Sequence, residues 1–185
     1  MRESDGTPLT FQLEVSRRYL LDLLETIERT GSAQEVVIVV PRPSGKVLLH
    51  TKSFYPRGTY RLPTGRVLPN EPPDDAFRRE FREEFGQEGR IDRRLGVLYC
   101  KLVSGDDSVE FTSYVYLARE MAEEPRPEDG GEQITGFIET PINELRAVAD
   151  KLRKLSGTWR DWGRFRAIAH EFVADALSPT PPSRS

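Results

Sequence analysis

GRVLPNEPPDDAFRREFREEFGQ, residues 65–87, is the stretch that decides the fold of this chain. The Pro72-Pro73 pair suits the first turn of a helix, and the spacing predicts a helix over residues 74–85. At about 100° per residue, Phe77, Phe81 and Phe85 form one apolar stripe. The segment therefore predicts an amphipathic helix that packs its phenylalanines against a sheet.

The same helix carries its charges segregated by sign. Glu80, Glu83 and Glu84 occupy an arc beside the phenylalanine stripe, whereas the arginines at positions 78, 79 and 82 lie on the far side. Like charges three or four residues apart destabilise a helix mildly, and the pattern fits poorly with a solvated helix held by ion pairs. Three crowded carboxylates indicate a divalent cation, and such hard oxygen ligands suit Mg²⁺ or Mn²⁺.

Strands and helices alternate on both sides of this segment, which predicts a mixed sheet with helices packed on it. The spacing predicts a lead-in helix over 13–30, hairpins over 35–52 and 91–118, and a strand over 134–139. Thr140 and Pro141 signal a helix to about Leu155, and Thr158 with Asp161 has capping-box spacing for a last helix ending near Leu177. The acidic segment 121–131 is expected to be a mobile surface loop, and 178–185 a frayed tail.

Length and composition indicate one domain over residues 1–185, with a core at 34–140 and C-terminal helices at 141–177. The single cysteine excludes an intramolecular disulfide and a multi-cysteine zinc site. The net charge of −3 gives no reason to expect nucleic acid as a partner. Without a long apolar run or a signal-peptide pattern, we expect a cytoplasmic protein that does not enter a membrane.

Residues 65–87 resemble the signature of the Nudix hydrolases, G-x5-E-x7-R-E-U-x-E-E-x-G-U, where U is a bulky apolar residue. The positions that match in register are Gly65, Glu71, Arg79, Glu80, Phe81, Glu83, Glu84 and Gly86. Two positions depart from the family pattern. Gln87 stands where an apolar residue is preferred, and Thr64 stands where many members have a second glycine. Neither departure removes a carboxylate.

The resemblance implies an α/β/α sandwich, here with an extra N-terminal helix and two C-terminal helices. It also implies Mg²⁺-dependent hydrolysis of the diphosphate linkage in a nucleoside diphosphate joined to another group. By the resemblance, Glu83 and Glu84 are the main metal ligands, and Glu80 is a further ligand or the base. A backbone carbonyl near Gly65 can join the metal, Arg79 orients the carboxylates, and Glu71 anchors the loop.

Signals outside this segment are weaker. The cations Lys52, Arg57 and Arg61 lie among tyrosines and could bind substrate phosphates or form the outer face of a strand. Glu132 follows the acidic loop, where some family members place an additional glutamate. Trp159 and Trp162 indicate a core or interface more than a stacking site, while His50, His170 and Cys100 are interpreted as structural.

Two other functions fit parts of the sequence. A catalytically silent module of the same fold could sense a nucleotide or regulate a partner, but the intact set of glutamates speaks against it. Isoprenoid diphosphate isomerisation requires a reactive cysteine with extra metal-binding histidines, and Cys100 alone supports it poorly. The terminal helices could form a homodimer interface, and the sequence does not decide the oligomeric state.

Overall fold

The computed structural model describes residues 8–127 and 133–178. The strands are β1 (Leu9–Glu14), β2 (Gln34–Val39), β3 (Val47–Lys52), β4 (Thr64–Arg66), β5 (Ile91–Ser104), β6 (Asp107–Ala118) and β7 (Ile134–Thr140). The helices are α1 (Arg17–Thr30), α2 (Pro73–Phe85), α3 (Leu145–Arg153) and α4 (Arg160–Leu177), with short 3₁₀ turns at Ile142–Glu144 and Gly157–Trp159. The mixed α/β fold with one N-terminal and two C-terminal helices is confirmed.

Five strands form a mixed sheet in the order β1-β5-β6-β2-β4, and β3 pairs with β7 in a separate two-stranded sheet. β5 and β6 form an antiparallel hairpin, whereas β1 runs parallel to β5 and β2 runs parallel to β6. The short strand β4 is antiparallel to β2, with Gly65 opposite Val36. This pairing places Gly65, the first residue of the segment 65–87, at one edge of the main sheet.

Helices cover both faces of the main sheet. On one face the phenylalanine stripe of α2 packs against Val36 and Ile38 of β2 and Tyr116 of β6. On the other face α4 packs against Val37, Val39 and Val115, and α1 packs beside it over the β5–β6 hairpin. Successive residues of β2 therefore alternate between two cores, as the period of a strand requires.

Local sequence explains why α2 begins and ends where it does. Pro72 is its N-cap and Pro73 its first residue, a position where the missing backbone N–H costs no hydrogen bond. Asp74 and Asp75 in the first turn interact favourably with the helix dipole. The helix ends at Gly86, whose φ of 69° is left-handed and whose N–H bonds to the Arg82 carbonyl.

Two N-terminal features differ from expectation. Residues 9–14 form a strand, so the lead-in helix begins at Arg17 and not at residue 13; Ser16 caps it, accepting a hydrogen bond from the Tyr19 amide. The predicted hairpin over 35–52 turns as expected, with Pro41 bridged to Val47. Its two strands then separate into different sheets, because β2 already has β4 and β6 as neighbours.

The C-terminal helices also differ in detail. The helix expected from Pro141 begins as a 3₁₀ turn and becomes α-helical at Leu145. The predicted capping box at Thr158 and Asp161 is wrong, because α4 has no side-chain cap. Asp161 instead accepts a hydrogen bond from the Ser16 backbone N–H at 2.9 Å and so ties α4 to the start of α1.

The described residues include no helix with the length and apolar character needed to cross a membrane. Of the expected tail, residues 179–185 lie outside the described residues.

Candidate active site

The three glutamates of α2 differ sharply in exposure. Glu84 is fully buried, Glu80 is 5% exposed, and the side chain of Glu83 is 36% exposed. Glu80 and Glu84 lie one helical turn apart and share a face of α2, while Glu83 reaches toward solvent. Burying a carboxylate is costly unless a charge or hydrogen bonds compensate, so the partners of these side chains decide how the site is held.

Gly65 on β4 lies against the side chain of Glu80. A Cβ atom at this position would lie 1.9 Å from Cδ of Glu80, so any larger residue would displace the Glu80 side chain. A glycine is therefore required for β4 to approach the carboxylate. The approach brings the Gly65 backbone beside a buried oxygen donor, the arrangement expected for a shared cation.

Arg79 connects the loop before α2 to the glutamates of the helix. Its Nε and Nη2 each donate to a Glu71 oxygen at 2.9 Å, and Nη2 also donates to the Arg66 carbonyl at 2.7 Å. Its Nη1 donates to Glu80 at 2.7 Å and to Glu83 at 3.3 Å. The hydrogen bond from Arg79 lowers the pKa of Glu71, and the Glu71 contact raises the pKa of Arg79. Arg79 and Glu71 thus pair with each other and orient the site.

His50 lies beside Glu84, although no residue at useful spacing in the sequence indicated a partner for it. Its Nδ1 is 3.7 Å from Oε2 of Glu84, and both side chains are fully buried. Burial, together with the charges of Arg61, Lys52 and Arg166, lowers the pKa of His50 well below its ordinary value. One signal was available: the period of a strand places His50 on the same face of β3 as Leu48, which packs in the α2 core.

The cations expected to bind substrate do not form one group. Lys52 ends β3, two residues after His50. Arg57 is exposed and lines a groove with Tyr60, Lys151 and other residues but with none of the α2 glutamates. Glu132 lies outside the described residues.

Arg61 is buried and engaged within the protein. Its Nε donates to the Tyr55 hydroxyl at 2.7 Å, and its Nη1 donates to the Leu62 carbonyl at 2.7 Å and the Thr64 hydroxyl at 2.9 Å. Thr64, which replaces the usual glycine, thereby connects Arg61 to the residue before Gly65. Arg61 supports the backbone of the site rather than projecting into solvent.

An aromatic cluster lies at the far end of the Arg61 contacts. Phe54 and Trp159 stack with ring centroids 6.5 Å apart, and Tyr55 contacts both Trp159 and Trp162. Phe54 is 54% exposed, whereas the tryptophans are partly buried. The cluster joins the loop after β3 to α4, so the tryptophans have a packing role at this junction.

The described part of the acidic loop is anchored to the body of the protein. Arg42 Nη1 donates to the carbonyls of Met121 and Glu123 at 2.7 Å and 2.6 Å. The Arg126 amide bonds to the Phe85 carbonyl at 2.9 Å, at the end of α2. Gln87 also donates to the Glu124 carbonyl at 3.3 Å. Residues 121–127 thus contact Arg42 and the end of α2, and residues 128–131 of the expected loop lie outside the described residues.

A second polar group lies on the opposite face of the main sheet. Arg166 of α4 donates to both oxygens of Glu35, at 2.8 Å and 2.6 Å, and Ser113 donates to the same carboxylate at 2.8 Å. His170 accepts from the Leu62 amide through Nε2 at 2.9 Å, and its Nδ1 lies 2.9 Å from the Arg166 carbonyl. These contacts hold α4 to β2 and to the segment that leads into β4. Burial also raises the pKa of Cys100 on this face to about 11, so its thiol is unreactive.

The residues of α2 fit a hard divalent cation. Among residues 8–127 and 133–178, no group of three or more histidine, cysteine, aspartate or glutamate side chains could hold a metal ion by itself. Mg²⁺ rarely needs such a cage, because it binds through one or two carboxylates and completes its shell with water and phosphate oxygens. Buried Glu80 and Glu84 with the cradle at Gly65 supply that kind of donor set.

Comparison with known proteins gives concordant results. The NUDIX domain family matches residues 31–162. A MutT protein from Methanosarcina mazei aligns with TM-score 0.52 and 17% identity, covering 78% of this chain and 95% of that one. An ADP-ribose pyrophosphatase from Streptococcus suis aligns with TM-score 0.48 and 15% identity, covering 80% and 93%. No curated protein matches this chain.

Proposed function

The chain belongs to the Nudix family, and on this basis we propose that it hydrolyses the diphosphate linkage of a nucleoside diphosphate joined to another group, using Mg²⁺. The observation that carries the proposal is the pair of buried carboxylates, Glu80 and Glu84, beside the glycine cradle at Gly65. Mn²⁺ has the same ligand preference and is expected to substitute.

In the proposed site Glu83 and Glu84 would hold the cation, and Glu80 and the Gly65 carbonyl could contribute further oxygen ligands. The bound cation would neutralise phosphate oxygens and lower the pKa of a coordinated water. Arg79 orients the carboxylates of Glu80 and Glu83, because its guanidinium donates a hydrogen bond to each of them. Glu71 holds the opposite edge of the same guanidinium. The anchored guanidinium therefore limits the repulsion among the three carboxylates.

The reaction is attack of water on one phosphorus atom of the diphosphate. The bond to the bridging oxygen breaks, a carboxylate takes the proton of the water, and two phosphate-terminated products leave. Glu80, which lies between the Gly65 backbone and Arg79, is our candidate for this carboxylate or for a further ligand of the cation. Lys52, which ends β3 two residues after His50, is our candidate cation for binding phosphate oxygens.

The proposal is tested with a panel of nucleotide-linked diphosphates in Mg²⁺ and in Mn²⁺, measuring released monophosphate. Glu83→Gln and Glu84→Gln should each lower kcat on the best substrate by about 100-fold or more, because each removes a charged metal ligand. Glu88→Gln is the matched control, since Glu88 follows α2, is exposed and pairs with Arg82 outside the site.

Full activity in both Gln variants would contradict the assignment of these ligands. Absence of hydrolysis across the panel, together with tight binding of one nucleotide, would favour the sensing module over the enzyme. The homodimer and the cytoplasmic location remain predictions.

A further inference from the structure

His50 is a buried polar side chain whose ring nitrogens make no hydrogen bond within residues 8–127 and 133–178. The side chain is fully buried, and its Nδ1 lies 3.7 Å from Oε2 of Glu84. Burying a polar ring without hydrogen bonds costs stability, so an imidazole at such a position needs another explanation.

The backbone around His50 fixes where its ring can point. Its amide and carbonyl both pair with Arg61, at 2.9 Å and 3.0 Å, and its register partner on β7 is Phe137. Phe137 packs its own ring 6.4 Å from the imidazole and 5.6 Å from the ring of Phe85 on α2. The imidazole is thus held between β7 and α2, in contact with the carboxylate of Glu84.

We propose that His50 is a positioning residue of the metal site, which donates its Nδ1–H to Oε2 of Glu84 and fixes the orientation of that carboxylate toward the cation. This inference rests on the proposed function. The distance of 3.7 Å is longer than a hydrogen bond, so the contact is expected to tighten when the carboxylate turns to bind the cation.

The ring chemistry favours this role over direct binding of the metal. Mg²⁺ prefers oxygen ligands, whereas an imidazole nitrogen suits zinc and other transition metals. A neutral imidazole carries one N–H, and at Nδ1 that N–H would face Oε2 of Glu84. Partners that orient a ligating group are worth about 10-fold to 100-fold in metal affinity.

Three substitutions separate the role of Nδ1 from the role of the ring. His50→Asn keeps an amide N–H near the position of Nδ1, His50→Gln places its amide near Nε2, and His50→Leu removes both ring nitrogens at similar size. Mn²⁺ affinity of the protein without substrate is measured by calorimetry and by electron paramagnetic resonance. We expect His50→Leu and His50→Gln to weaken Mn²⁺ binding about 10-fold or more, and His50→Asn to stay within about threefold of the parent protein.

Thermal unfolding without metal provides the second measurement. A merely structural histidine would lose stability on replacement, whereas we expect His50→Leu to melt at the parent temperature or above it, because an unsatisfied polar ring is removed. His170→Gln is the matched control: His170 is buried on the other face of the sheet, so its substitution should leave Mn²⁺ affinity unchanged.

The outcomes distinguish this inference from the proposed function. Unchanged Mn²⁺ affinity in His50→Leu, with affinity lost in Glu84→Gln, overturns the role of His50 and leaves the metal site intact. Unchanged affinity in both variants overturns the metal site itself. Nitrogen hyperfine coupling to bound Mn²⁺ that disappears in His50→Leu would show direct ligation and also overturn the positioning role.

Discussion

The two histidines of this protein are both buried, yet their surroundings differ. His170, on the α4 side of the main sheet, has a hydrogen-bond contact at each ring nitrogen. His50, on the α2 side, has none within the described residues and lies against Glu84. The same contrast separates their neighbours, since Glu35 receives hydrogen bonds from both Arg166 and Ser113, whereas Glu80 and Glu83 of α2 share the single guanidinium of Arg79.

We interpret the polar group on the α4 side as one that stabilises the fold, and the polar group on the α2 side as one that binds a ligand. A buried polar network with satisfied donors and acceptors fixes a unique arrangement of its helices and strands. A polar network with crowded like charges lowers the stability of the fold and is found where function requires it. Substitutions on the α4 side should therefore act on stability, and those on the α2 side on activity.

The largest stability effect is expected from Arg166→Met. The substitution leaves the Glu35 carboxylate buried on the α4 side with only Ser113 to donate to it. Removing one partner of a buried pair costs about 3–5 kcal/mol. Denaturant unfolding should show this loss, and the double variant Glu35→Gln with Arg166→Met should recover part of it. A loss below about 1 kcal/mol would show that the pair is solvated and that the contrast between the faces is weaker than described.

The next effect concerns pH. Burial lowers the pKa of His170 from 6.5 to about 4. The unfolded chain therefore binds a proton at this residue between pH 6.5 and about 4 that the folded chain does not. Stability from neutral His170 is complete above pH 6.5 and declines as pH falls toward 4, by roughly 3 kcal/mol.

Urea unfolding at several pH values checks this, with His170→Gln as the comparison. The Gln variant keeps an acceptor for the Leu62 amide but cannot titrate, so its stability should fall less steeply over the same range. Parallel curves for the two proteins would show that His170 is not the source of the dependence.

The sequence predicted the α2 side better than the α4 side, for a physical reason. The phenylalanine stripe and the Gly86 stop are local signals, read within one helix. The hydrogen bond from the Ser16 amide to Asp161 joins residues 145 positions apart, so no local sequence pattern predicts it. Asp161 has the spacing of a capping box, but its carboxylate accepts a hydrogen bond from Ser16 at the start of α1 instead.

Two further failures have the same origin. Residues 9–14 form β1 only because β5, distant in sequence, offers a parallel edge. His50 meets Glu84 only because β3 leaves the main sheet and pairs with β7, which brings its face over α2. The residue types of the site were visible in the sequence, and the contacts between separate segments were not.

Arg79→Lys should affect activity more than stability. Lysine keeps the charge but loses the planar fork that reaches Glu71, Glu80 and the Arg66 carbonyl together. We expect kcat to fall about 10-fold to 100-fold, with a stability loss of about 1–2 kcal/mol, because the carboxylates turn away from their productive orientation. Steady-state kinetics and denaturant unfolding of the same preparation check both values. A large loss of stability with normal kcat would show that Arg79 stabilises the fold and does not orient the carboxylates for the reaction.

The smallest effect is expected one residue earlier in the helix. Arg78 is 51% exposed and its ion pair with Asp75 is solvated, so Arg78→Ala should change the free energy of unfolding by less than about 0.5 kcal/mol. Kcat should stay at the parent value, because Arg78 contacts none of the α2 glutamates in the described hydrogen bonds and ion pairs. The same kinetic and unfolding measurements apply. If Arg78→Ala reduced kcat as much as Arg79→Lys, activity would depend on the net charge of α2, and the specific contacts of Arg79 would no longer explain the site.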